Sequence, residues 1–322
     1  LSARIWKQLR DDPRHPLVNK CIRGQYPPGS TFKMVTALAA LETGAVTHTG
    51  EVFCPGFMSL GNSRFHCWKN HGHGRVGLVQ ALEQSCDVYF YELARRVGVD
   101  VIATTAKRLG LGEALGIDLP GERPGLIPTR AWKQEVLRQP WQKGETLVCG
   151  IGQGFVLATP LQLAVMTARL CNGGRAVRPW FVRGDSAHVV TARGESVPSI
   201  GMKPENLEWV LKGMRDVVHG ARGTARSSAL GLPGVEMAGK TGTSQVRRIS
   251  KAERAVGAHK RKDIPWEERD HALFVCFAPF AKPRYAISVV DETLKHSSTA
   301  AAPVARDIMR KTLELDPSSD EP

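Results

Sequence analysis

Long apolar runs are absent from this sequence of 322 residues. No stretch reaches the roughly 18 apolar residues that a membrane-spanning helix needs, so no part of the sequence is predicted to cross a bilayer. Acidic residues are scarce relative to basic ones, with 31 Asp and Glu against 44 Lys and Arg and a formal net charge of +13. A basic chain can bind nucleic acid, but the basic residues are scattered and no binding motif is present. Nucleic acid is therefore not a predicted partner.

Two other patterns are incomplete. The seven cysteines are an odd number, which argues against a complete disulfide framework. Residues 150–154 read GIGQG, which lacks the final glycine of the G-x-G-x-x-G fingerprint, and no βαβ unit is predicted around them. A dinucleotide site is therefore excluded. The 42% of hydrophobic residues suffice for one large globular domain or a domain with a subdomain.

The most informative segment is a turn followed by an apolar helix. Residues 25–44 read QYPPGSTFKMVTALAALETG. The Pro-Pro-Gly sequence predicts a turn, and the residues from Thr31 favour a buried helix that ends near Gly44. Ser30 is then expected at the helix N-terminus, with Lys33 one turn later on the same face.

Ser30 and Lys33 have two interpretations. Ser30 could be an N-cap and Lys33 a solvated lysine. A lysine on a buried helix must, however, find a partner or lose its proton, and a neutral lysine beside a serine hydroxyl is an activated nucleophile pair. The N–H groups of a helix N-terminus can also stabilise an oxyanion. Because one S-x-x-K is expected by chance about once in a chain of this length, the pair needs support from elsewhere.

Two downstream motifs give that support. Residues 85–87 read Ser-Cys-Asp and residues 240–242 read Lys-Thr-Gly. The trio S-x-x-K, S-D-N and K-T-G is typical of class A β-lactamases and penicillin-binding proteins, although here the middle element is S-x-D. Taken singly, Ser85 is predicted to cap the following helix, Asp87 would suit the helix dipole, and Lys240 would be an exposed strand residue. The ordered trio favours catalytic roles.

The sequence context of K-T-G also fits a strand beside Ser30. Strand candidates follow at 271–280 and 284–292, and a helix candidate follows at 298–315. Further predictions are a loop at about 50–75, a hairpin at 175–194, a helix at 205–220 that Gly220 ends, a polar loop over the cleft at 247–270, and a polar tail at 316–322.

Five motifs carry a closer resemblance: GQYPPGSTFK, WKNHGHG, SCDVYFYELA, IGQG and KTGTSQV. They resemble the transpeptidase domain of class B penicillin-binding proteins, in particular the elongation-type group, penicillin-binding protein 2. The resemblance spans residues 25 to about 310. It implies an α+β fold of the penicilloyl-serine transferase or β-lactamase-like type, with an antiparallel sheet packed by helices and an all-helical subdomain at about 40–170. One transpeptidase domain is expected over 1–315.

The resemblance also implies where the protein works. Members of the family normally have an N-terminal membrane anchor and a pedestal domain. We therefore expect this chain to be a truncated part of a protein anchored at the periplasmic face of the inner membrane by a helix absent from this chain. The implied partners are peptidoglycan stem peptides, β-lactam antibiotics, a membrane-embedded glycan polymerase and the scaffold proteins of the elongation complex. The positive charge would suit anionic lipids and wall polymers.

The implied reaction is peptidoglycan D,D-transpeptidation, which cross-links stem peptides during elongation. Ser30 would form an acyl-enzyme with the stem peptide, and penicillins and other β-lactams would acylate the same residue. Lys33 is the expected base, Ser85 the proton relay, and Asp87 the group that holds Lys33. Lys240 supplies a second positive charge, and no cofactor is expected for catalysis.

The resemblance implies two further assignments around the K-T-G motif. The oxyanion hole is expected to comprise the backbone N–H groups of Ser30 and Thr243. The hydroxyl groups of Thr241 and Thr243 would receive the substrate carboxylate, and Gly242 would let the ligand approach the strand closely.

A second candidate site lies in residues 53–74, which are rich in Gly and Asn and offer few side chains for a core. Such a loop needs a cross-link, either a bound metal ion or a disulfide, to hold it folded. The spacing C-x12-C-x5-H-x12-C provides ligand types that suit a structural, tetrahedral zinc ion, and its members are Cys54, Cys67, His73 and Cys86. Some penicillin-binding protein 2 chains carry a mixed Asp/His/Cys metal set here, which this sequence matches at His73 and Cys86.

Alternatives remain at this point for both sites. The cysteines could form a Cys54–Cys67 disulfide or be free buried thiols, and His66 or His71 could replace His73 as the ligand. For the function, the same motif trio also serves β-lactamases, D,D-carboxypeptidases and β-lactam sensor domains.

Overall fold

The computed structural model describes residues 1–181, 197–245, 269–292 and 298–316. None of the described helices is both long enough and apolar enough to cross a bilayer. The α-helices in these ranges are α1 (Ala3–Asp11), α2 (Lys20–Arg23), α3 (Lys33–Glu42), α4 (Leu78–Glu83), α5 (Asp87–Val97), α6 (Val99–Arg108), α7 (Arg130–Leu137), α8 (Lys143–Gly150), α9 (Pro160–Cys171), α10 (Pro204–His219) and α11 (Ala301–Glu314).

The described strands form three antiparallel groups. Two are small, with β1 paired to β4 and β2 paired to β3, and the third is a sheet in the order β5–β6–β7. The strands are β1 (Val52–Cys54), β2 (Phe57–Leu60), β3 (Ser63–His66), β4 (Gly74–Val76), β5 (Ala238–Ser244), β6 (His271–Ala278) and β7 (Tyr285–Asp291). Among the described strands β5 therefore lies at an edge of the larger sheet, and this edge faces the Ser30 turn.

The central strand β6 is buried on both faces. Alternate side chains of a strand point to opposite faces. Leu273 and Val275 join the core that the sheet shares with the helical region, whereas Ala272 and Phe274 pack with α11 and the end of α10. Burial on both faces explains why the sequence of β6 is almost continuously apolar rather than alternating.

Helix α3 lies at the centre of the helical region. Its residues from Lys33 to Leu41 are all buried, and it contacts α5, α6 and α10. A helix that is apolar on most of its surface must be enclosed on most sides. This enclosure also buries Lys33, the one charged side chain in that run, at its first residue.

The α+β class is confirmed: the antiparallel sheet packs against helices on both faces, and a mainly helical region precedes it. The strands predicted at 271–280 and 284–292 and the helices predicted at 205–220 and 298–315 are confirmed with small changes at their ends.

Two local predictions need correction. The helix predicted from Thr31 begins at Lys33, after a 3-10 turn at Gly29–Phe32. The loop predicted at about 50–75 contains the four short strands β1–β4, so the region at 40–170 is not entirely helical. Strands of only three or four paired residues leave little periodicity in a sequence.

Three predicted segments lie wholly or mainly outside the described residues: the second half of the hairpin at 175–194, nearly all of the polar loop at 247–270, and the tail after 316. Asp316 itself is buried and forms an ion pair with Arg284.

Candidate active site

Ser30 lies in the 3-10 turn that leads directly into α3. The N-cap role considered as the alternative for Ser30 is wrong, because the cap residue of α3 is Phe32 and no side chain caps it. The Lys33 amide donates instead to the Ser30 carbonyl oxygen. The helical path is thus continuous through the turn, and it leaves the Ser30 side chain only half-buried beside a buried lysine.

Lys33 is completely buried and forms three hydrogen bonds. Its Nζ donates to the Ser85 carbonyl oxygen at 2.9 Å, to Ser85 Oγ at 3.1 Å and to Asp87 Oδ1 at 2.7 Å. It also lies 5.6 Å from the centre of the Phe90 ring. Three acceptors match the three donors of an ammonium group. The solvated position considered for Lys33 is therefore wrong, and the S-x-x-K and S-x-D motifs meet at this side chain.

Ser85 occupies an unusual backbone position. Its φ is +54°, in the left-handed region that non-glycine residues seldom adopt. The predicted N-cap role is wrong here as well, because Cys86 is the cap residue of α5. The left-handed residue reverses the chain between α4 and α5, and this reversal turns both oxygens of Ser85 towards Lys33.

Asp87 joins Lys33 to the loop at 53–74. Its second oxygen, Oδ2, accepts the backbone N–H of Trp68 at 2.9 Å. Burial raises the pKa of the Asp87 carboxyl, while the Lys33 ammonium opposes that rise. The side chain is therefore more than a favourable charge at the start of α5: it fixes a catalytic candidate on one side and the residue after Cys67 on the other.

Lys240 is the second buried lysine of the site. It is fully buried on β5, and its Nζ donates to the Thr241 carbonyl oxygen at 3.2 Å. Burial and the charge of Lys33 lower its pKa well below the usual value. The exposed strand position considered for Lys240 is therefore wrong, and the two lysines are close enough to disfavour simultaneous protonation.

The K-T-G strand packs directly on the Ser30 turn. A methyl group on Gly242 would lie 2.8 Å from Thr31 Cγ2 and 2.9 Å from the Pro28 carbonyl oxygen. A methyl group on Gly29 would lie 2.4 Å from the Thr243 carbonyl oxygen. Only glycine allows these two backbones to approach so closely. Thr243 has an exposed side chain at this edge, whereas Thr241 is buried.

Sequence reasoning missed two residues that support this strand. The Thr224 hydroxyl lies 2.8 Å from the Thr241 hydroxyl. Thr224 is held by Glu83, whose backbone carbonyl oxygen accepts the Thr224 N–H and whose carboxylate accepts the Arg222 N–H at 2.8 Å. No motif marks either residue, because the contact joins α4 to a loop almost 140 residues later in the chain.

The four predicted metal ligands also come together. The candidate ligand atoms of Cys54, Cys67, His73 and Cys86 all lie within 4.8 Å of one another. Nδ1 of His73 is 3.6 Å from Cys54 Sγ and 3.5 Å from Cys67 Sγ. A tetrahedral zinc with ordinary Zn–S and Zn–N bonds places sulfur and nitrogen about 3.6 Å apart. The donor set and its spacing therefore fit zinc.

Backbone pairing presents these side chains. The His73 N–H donates to the Cys54 carbonyl oxygen, and the Cys67 N–H donates to that of Gly56. Gly72 has a φ of +73°, and a methyl group there would lie 2.0 Å from the Cys54 carbonyl oxygen. A residue with a side chain would force the two segments apart, so glycine is required at this crossing.

The cluster favours the thiolate at Cys54 and Cys67 but not at Cys86, whose pKa is raised by its hydrogen bonds to those two cysteines and by burial. Hydrogen bonding from Cys86 lowers the pKa of Cys54 to about 6 and that of Cys67 to about 2. Burial lowers the pKa of His73, but the two facing thiolates outweigh it and leave the pKa raised. Cys54 and Cys67 are free thiols rather than a disulfide, and the alternative histidines His66 and His71 are exposed and outside the cluster.

Trp68 connects the cluster to the catalytic candidates. Its ring meets the His73 ring edge-on with centroids 5.5 Å apart, and its indole N–H donates to the Gln84 carbonyl oxygen at 3.0 Å. Its own backbone N–H is the one that Asp87 accepts. Trp68 and the Asp87 carboxylate are thus the two groups that connect the cluster to Lys33.

Comparison with known proteins places this site in a family context. The model of the penicillin binding protein transpeptidase domain matches residues 5–310. The chain is 38% identical to the peptidoglycan D,D-transpeptidase MrdA of Acinetobacter baumannii over 306 residues, which cover 94% of this chain and 44% of that protein. It is 35% identical to MrdA of Escherichia coli K12 over 319 residues, which cover 98% of this chain and 49% of that protein.

Solved structures agree with these matches. Pseudomonas aeruginosa PBP2 in complex with WCK 5153 is similar with a TM-score of 0.82 and 40% identity, over 99% of this chain and 65% of that one. Helicobacter pylori PBP2 in complex with MreC is similar with a TM-score of 0.85 and 31% identity, over 98% and 55%. A structure described as a peptidoglycan synthase complex that coordinates polymerization and crosslinking has a TM-score of 0.77 at 32% identity, over 98% and 51%. The chain spans about half the length of the MrdA relatives.

Proposed function

The chain belongs to the penicillin binding protein transpeptidase family, and from this premise we propose that it is the catalytic domain of an elongation-type peptidoglycan D,D-transpeptidase that acts through an acyl-enzyme on Ser30. The observation that carries the proposal is the buried Lys33, which joins Ser85 and Asp87 one turn after Ser30. The MrdA relatives carry the same activity in their names.

In the first half-reaction Ser30 Oγ attacks the carbonyl carbon of the penultimate D-Ala of a stem peptide. A C–O bond forms, and the proton of the Ser30 hydroxyl passes to neutral Lys33. To act as this base, Lys33 must be in its neutral form, with two protons on Nζ rather than three. The backbone N–H groups of Ser30 and Thr243 stabilise the oxyanion.

The intermediate then collapses. The C–N bond to the terminal D-Ala breaks, and the leaving nitrogen takes the proton from Lys33 through the Ser85 hydroxyl, which lies 3.1 Å from Lys33 Nζ. In the second half-reaction an amine of a neighbouring stem peptide attacks the ester carbon. The amine loses its proton by the reverse route, Ser30 Oγ is released with a proton, and the cross-link forms.

The substrate carboxylate binds at the K-T-G strand. Lys240 provides the positive charge, and the hydroxyl groups of Thr241 and Thr243 donate hydrogen bonds. Because burial lowers the pKa of Lys240 well below its usual value, an incoming carboxylate gains by restoring the lysine charge. The expected role of Gly242 changes accordingly: Thr31 and the Pro28 carbonyl oxygen fill the space beside it, so this glycine lets the strand lie against the Ser30 turn. Penicillins present a carboxylate and a reactive carbonyl and therefore acylate Ser30 in the same orientation.

We further propose that Cys54, Cys67, His73 and Cys86 hold a structural zinc ion. Support comes from the close grouping of the four ligand atoms, all within 4.8 Å of one another, and from the N–S distances near 3.6 Å. A bound zinc would fix the loop at 53–74 in place. This chain's own residues then do the positioning: Trp68 donates to Asp87, and Asp87 holds Lys33.

The location and partners of the whole protein are also proposals. Helicobacter pylori PBP2 has been solved with MreC, and another similar structure belongs to a peptidoglycan synthase complex. By analogy we propose a periplasmic domain at the inner membrane that works with a membrane-embedded glycan polymerase and elongation-complex scaffold proteins.

Intact-mass spectrometry with a penicillin tests the reaction. The wild-type chain is expected to gain the full mass of the drug and to keep it, and Ser30→Ala to gain none. Rapid return to the free mass with hydrolysed drug would instead indicate a β-lactamase. Failure of the folded wild type to form an adduct would disprove the assignment of Ser30. In native spectra, one zinc mass that disappears on denaturation is expected, whereas a deficit of two hydrogens would indicate a disulfide.

A further inference from the structure

Gln153, in the loop after α8, reaches across to the K-T-G strand. Its side-chain Nε2 donates a hydrogen bond of 2.8 Å to the carbonyl oxygen of Thr243. The loop belongs to the Gly-rich segment 150–154. None of its residues takes part in the proposed acyl transfer.

The direction of this hydrogen bond shows where the Thr243 peptide groups point. In an antiparallel ladder the N–H and C=O of one residue both face the neighbouring strand or both face away from it. The Thr243 C=O faces Gln153 and so points away from β6, which is the partner of β5. The Thr243 N–H therefore points the same way, off the edge of the sheet and towards the Ser30 turn.

The backbones of the loop at 150–154 and of the Ser30 turn pack against this edge of β5. The Gly29 N–H donates to the Gly152 carbonyl oxygen at 2.8 Å. A methyl group on Gly152 would lie 2.3 Å from the Gly29 carbonyl oxygen, and one on Gly29 would lie 3.2 Å from the Thr243 nitrogen. The loop at 150–154, the Ser30 turn and the end of β5 therefore pack together at this edge. Within this contact the Gln153 side chain donates to the Thr243 carbonyl oxygen, which points away from β6.

We propose that Gln153 is a positioning residue for the oxyanion hole: its amide anchors the Thr243 peptide, so that the Thr243 N–H stays aimed at the carbonyl that Ser30 attacks. This inference rests on the proposed acyl-transfer function. The Gln153 side chain does not contact the reacting atoms. Its effect is on polarisation of the acyl carbonyl, so the rate of acylation should depend on it more than the initial binding of the drug does.

Two substitutions separate this role from general stability. Gln153→Glu is isosteric but places a charged oxygen against the Thr243 carbonyl oxygen, and Gln153→Met keeps the length without a donor. Gln134→Glu, the same chemical change on the exposed face of α7, is the matched control. The melting temperature of each variant shows whether it is folded, and Gln153→Met serves as the test if Gln153→Glu does not fold.

The measurements are stopped-flow acylation by a chromogenic cephalosporin and the infrared band of the acyl-enzyme ester carbonyl. Loss of one oxyanion donor costs about 100- to 1,000-fold. Because Gln153→Glu displaces a donor rather than removing it, we expect the acylation rate constant to fall by about 10- to 100-fold. The dissociation constant of the initial complex should change by less than threefold, roughly the effect of a lost peripheral contact. The ester band should move to higher wavenumber, with a smaller shift in Gln153→Met and none in Gln134→Glu.

Each outcome decides something different. A wild type acylated at Ser30 with an unchanged rate and an unchanged band in Gln153→Glu would overturn the role of Gln153 alone. A slower rate with an unchanged band would also overturn it, because the carbonyl would then be polarised normally. A folded wild type that is not acylated would overturn the proposed function and this inference together.

Discussion

Two regions hold Lys33 between them, and they are built differently. On one side the central strand of the β5–β6–β7 sheet is buried on both faces, and its neighbour β5 presents Lys240. On the other side the loop at 53–74 contains short two-stranded pairings, and its buried side chains are those of Cys54, Cys67 and His73. The strand side gains its stability from apolar burial. The loop side has few other buried side chains, so its proposed support is the Cys/His cluster.

The comparison shows how the proposed base, Lys33, can be sensitive to the Cys/His cluster, which it does not contact directly. Asp87 accepts from Lys33 with one oxygen and from Trp68 with the other. Movement of the loop therefore changes the position of Asp87 directly, whereas the sheet can move Lys240 only if its core changes. The loop side should therefore be the less stable of the two. Substitutions on the two sides should differ in their effects on stability and on the rate of acylation.

The largest effect is expected from removing Lys33 itself. Lys33→Met should lower acylation by about 100- to 10,000-fold, the usual contribution of a positioned base. It should also destabilise the fold by about 3–5 kcal/mol, because Asp87 would be left as a buried carboxylate without its partner. Chemical denaturation and stopped-flow acylation measure the two effects.

The double variant Lys33→Met/Asp87→Asn serves as the control for that result. It should recover most of the stability but none of the acylation, since the buried charge is gone while the base is still missing. Equal stability of the single and double variants would contradict the buried ion pair as a source of stability.

An intermediate effect is expected from disrupting the cluster. Treatment with a chelator, or Cys67→Ser, should lower the melting temperature and slow acylation by about 10- to 100-fold, the range seen when metal-site support is lost. Cys21→Ser, which changes an exposed thiol outside the cluster, should alter neither. Normal acylation in a zinc-free Cys67→Ser protein would show that the loop side holds Asp87 without the cluster.

The smallest effect on stability is expected on the strand side. Lys240→Met should bind β-lactams poorly, because the positive charge that receives their carboxylate is lost. It should nevertheless be at least as stable as the wild type, because burial and the charge of Lys33 both disfavour a protonated lysine at this position. The pKa of Lys240 is lowered in the fold from a usual 10.5. The folded protein therefore releases this proton before the unfolded chain does, so wild-type stability rises with pH between the two pKa values.

The consequence is a pH-dependent difference between the two proteins. The advantage of Lys240→Met should be greatest below the folded pKa of Lys240 and should shrink as the pH approaches 10.5. Thermal melts across this range measure it. A constant difference at every pH would mean that Lys240 titrates normally in the fold.

Much of the site could be predicted from the sequence because its residues sit in short motifs with fixed chemistry. S-x-x-K puts Ser30 and Lys33 one helical turn apart, and the ligand types of the cluster are those of zinc. The capping role predicted for Ser85 and the one considered for Ser30 are wrong for a shared reason. Cap preferences describe an isolated helix end, but both serines lie where tertiary contacts with β5 and with Lys33 decide the backbone path.

The sequence by itself determined the family, the order of the motifs and the apolar strands and helices, since these depend on residue types that lie close together in the chain. Only the tertiary structure decided which side chains touch across long separations. Thr224 meets Thr241, Gln153 meets Thr243 and Trp68 meets Asp87, and no local pattern records such pairs. The physical reason is that these contacts arise from the packing of whole elements, and a polar group on a loop acquires its partner only when that packing is complete.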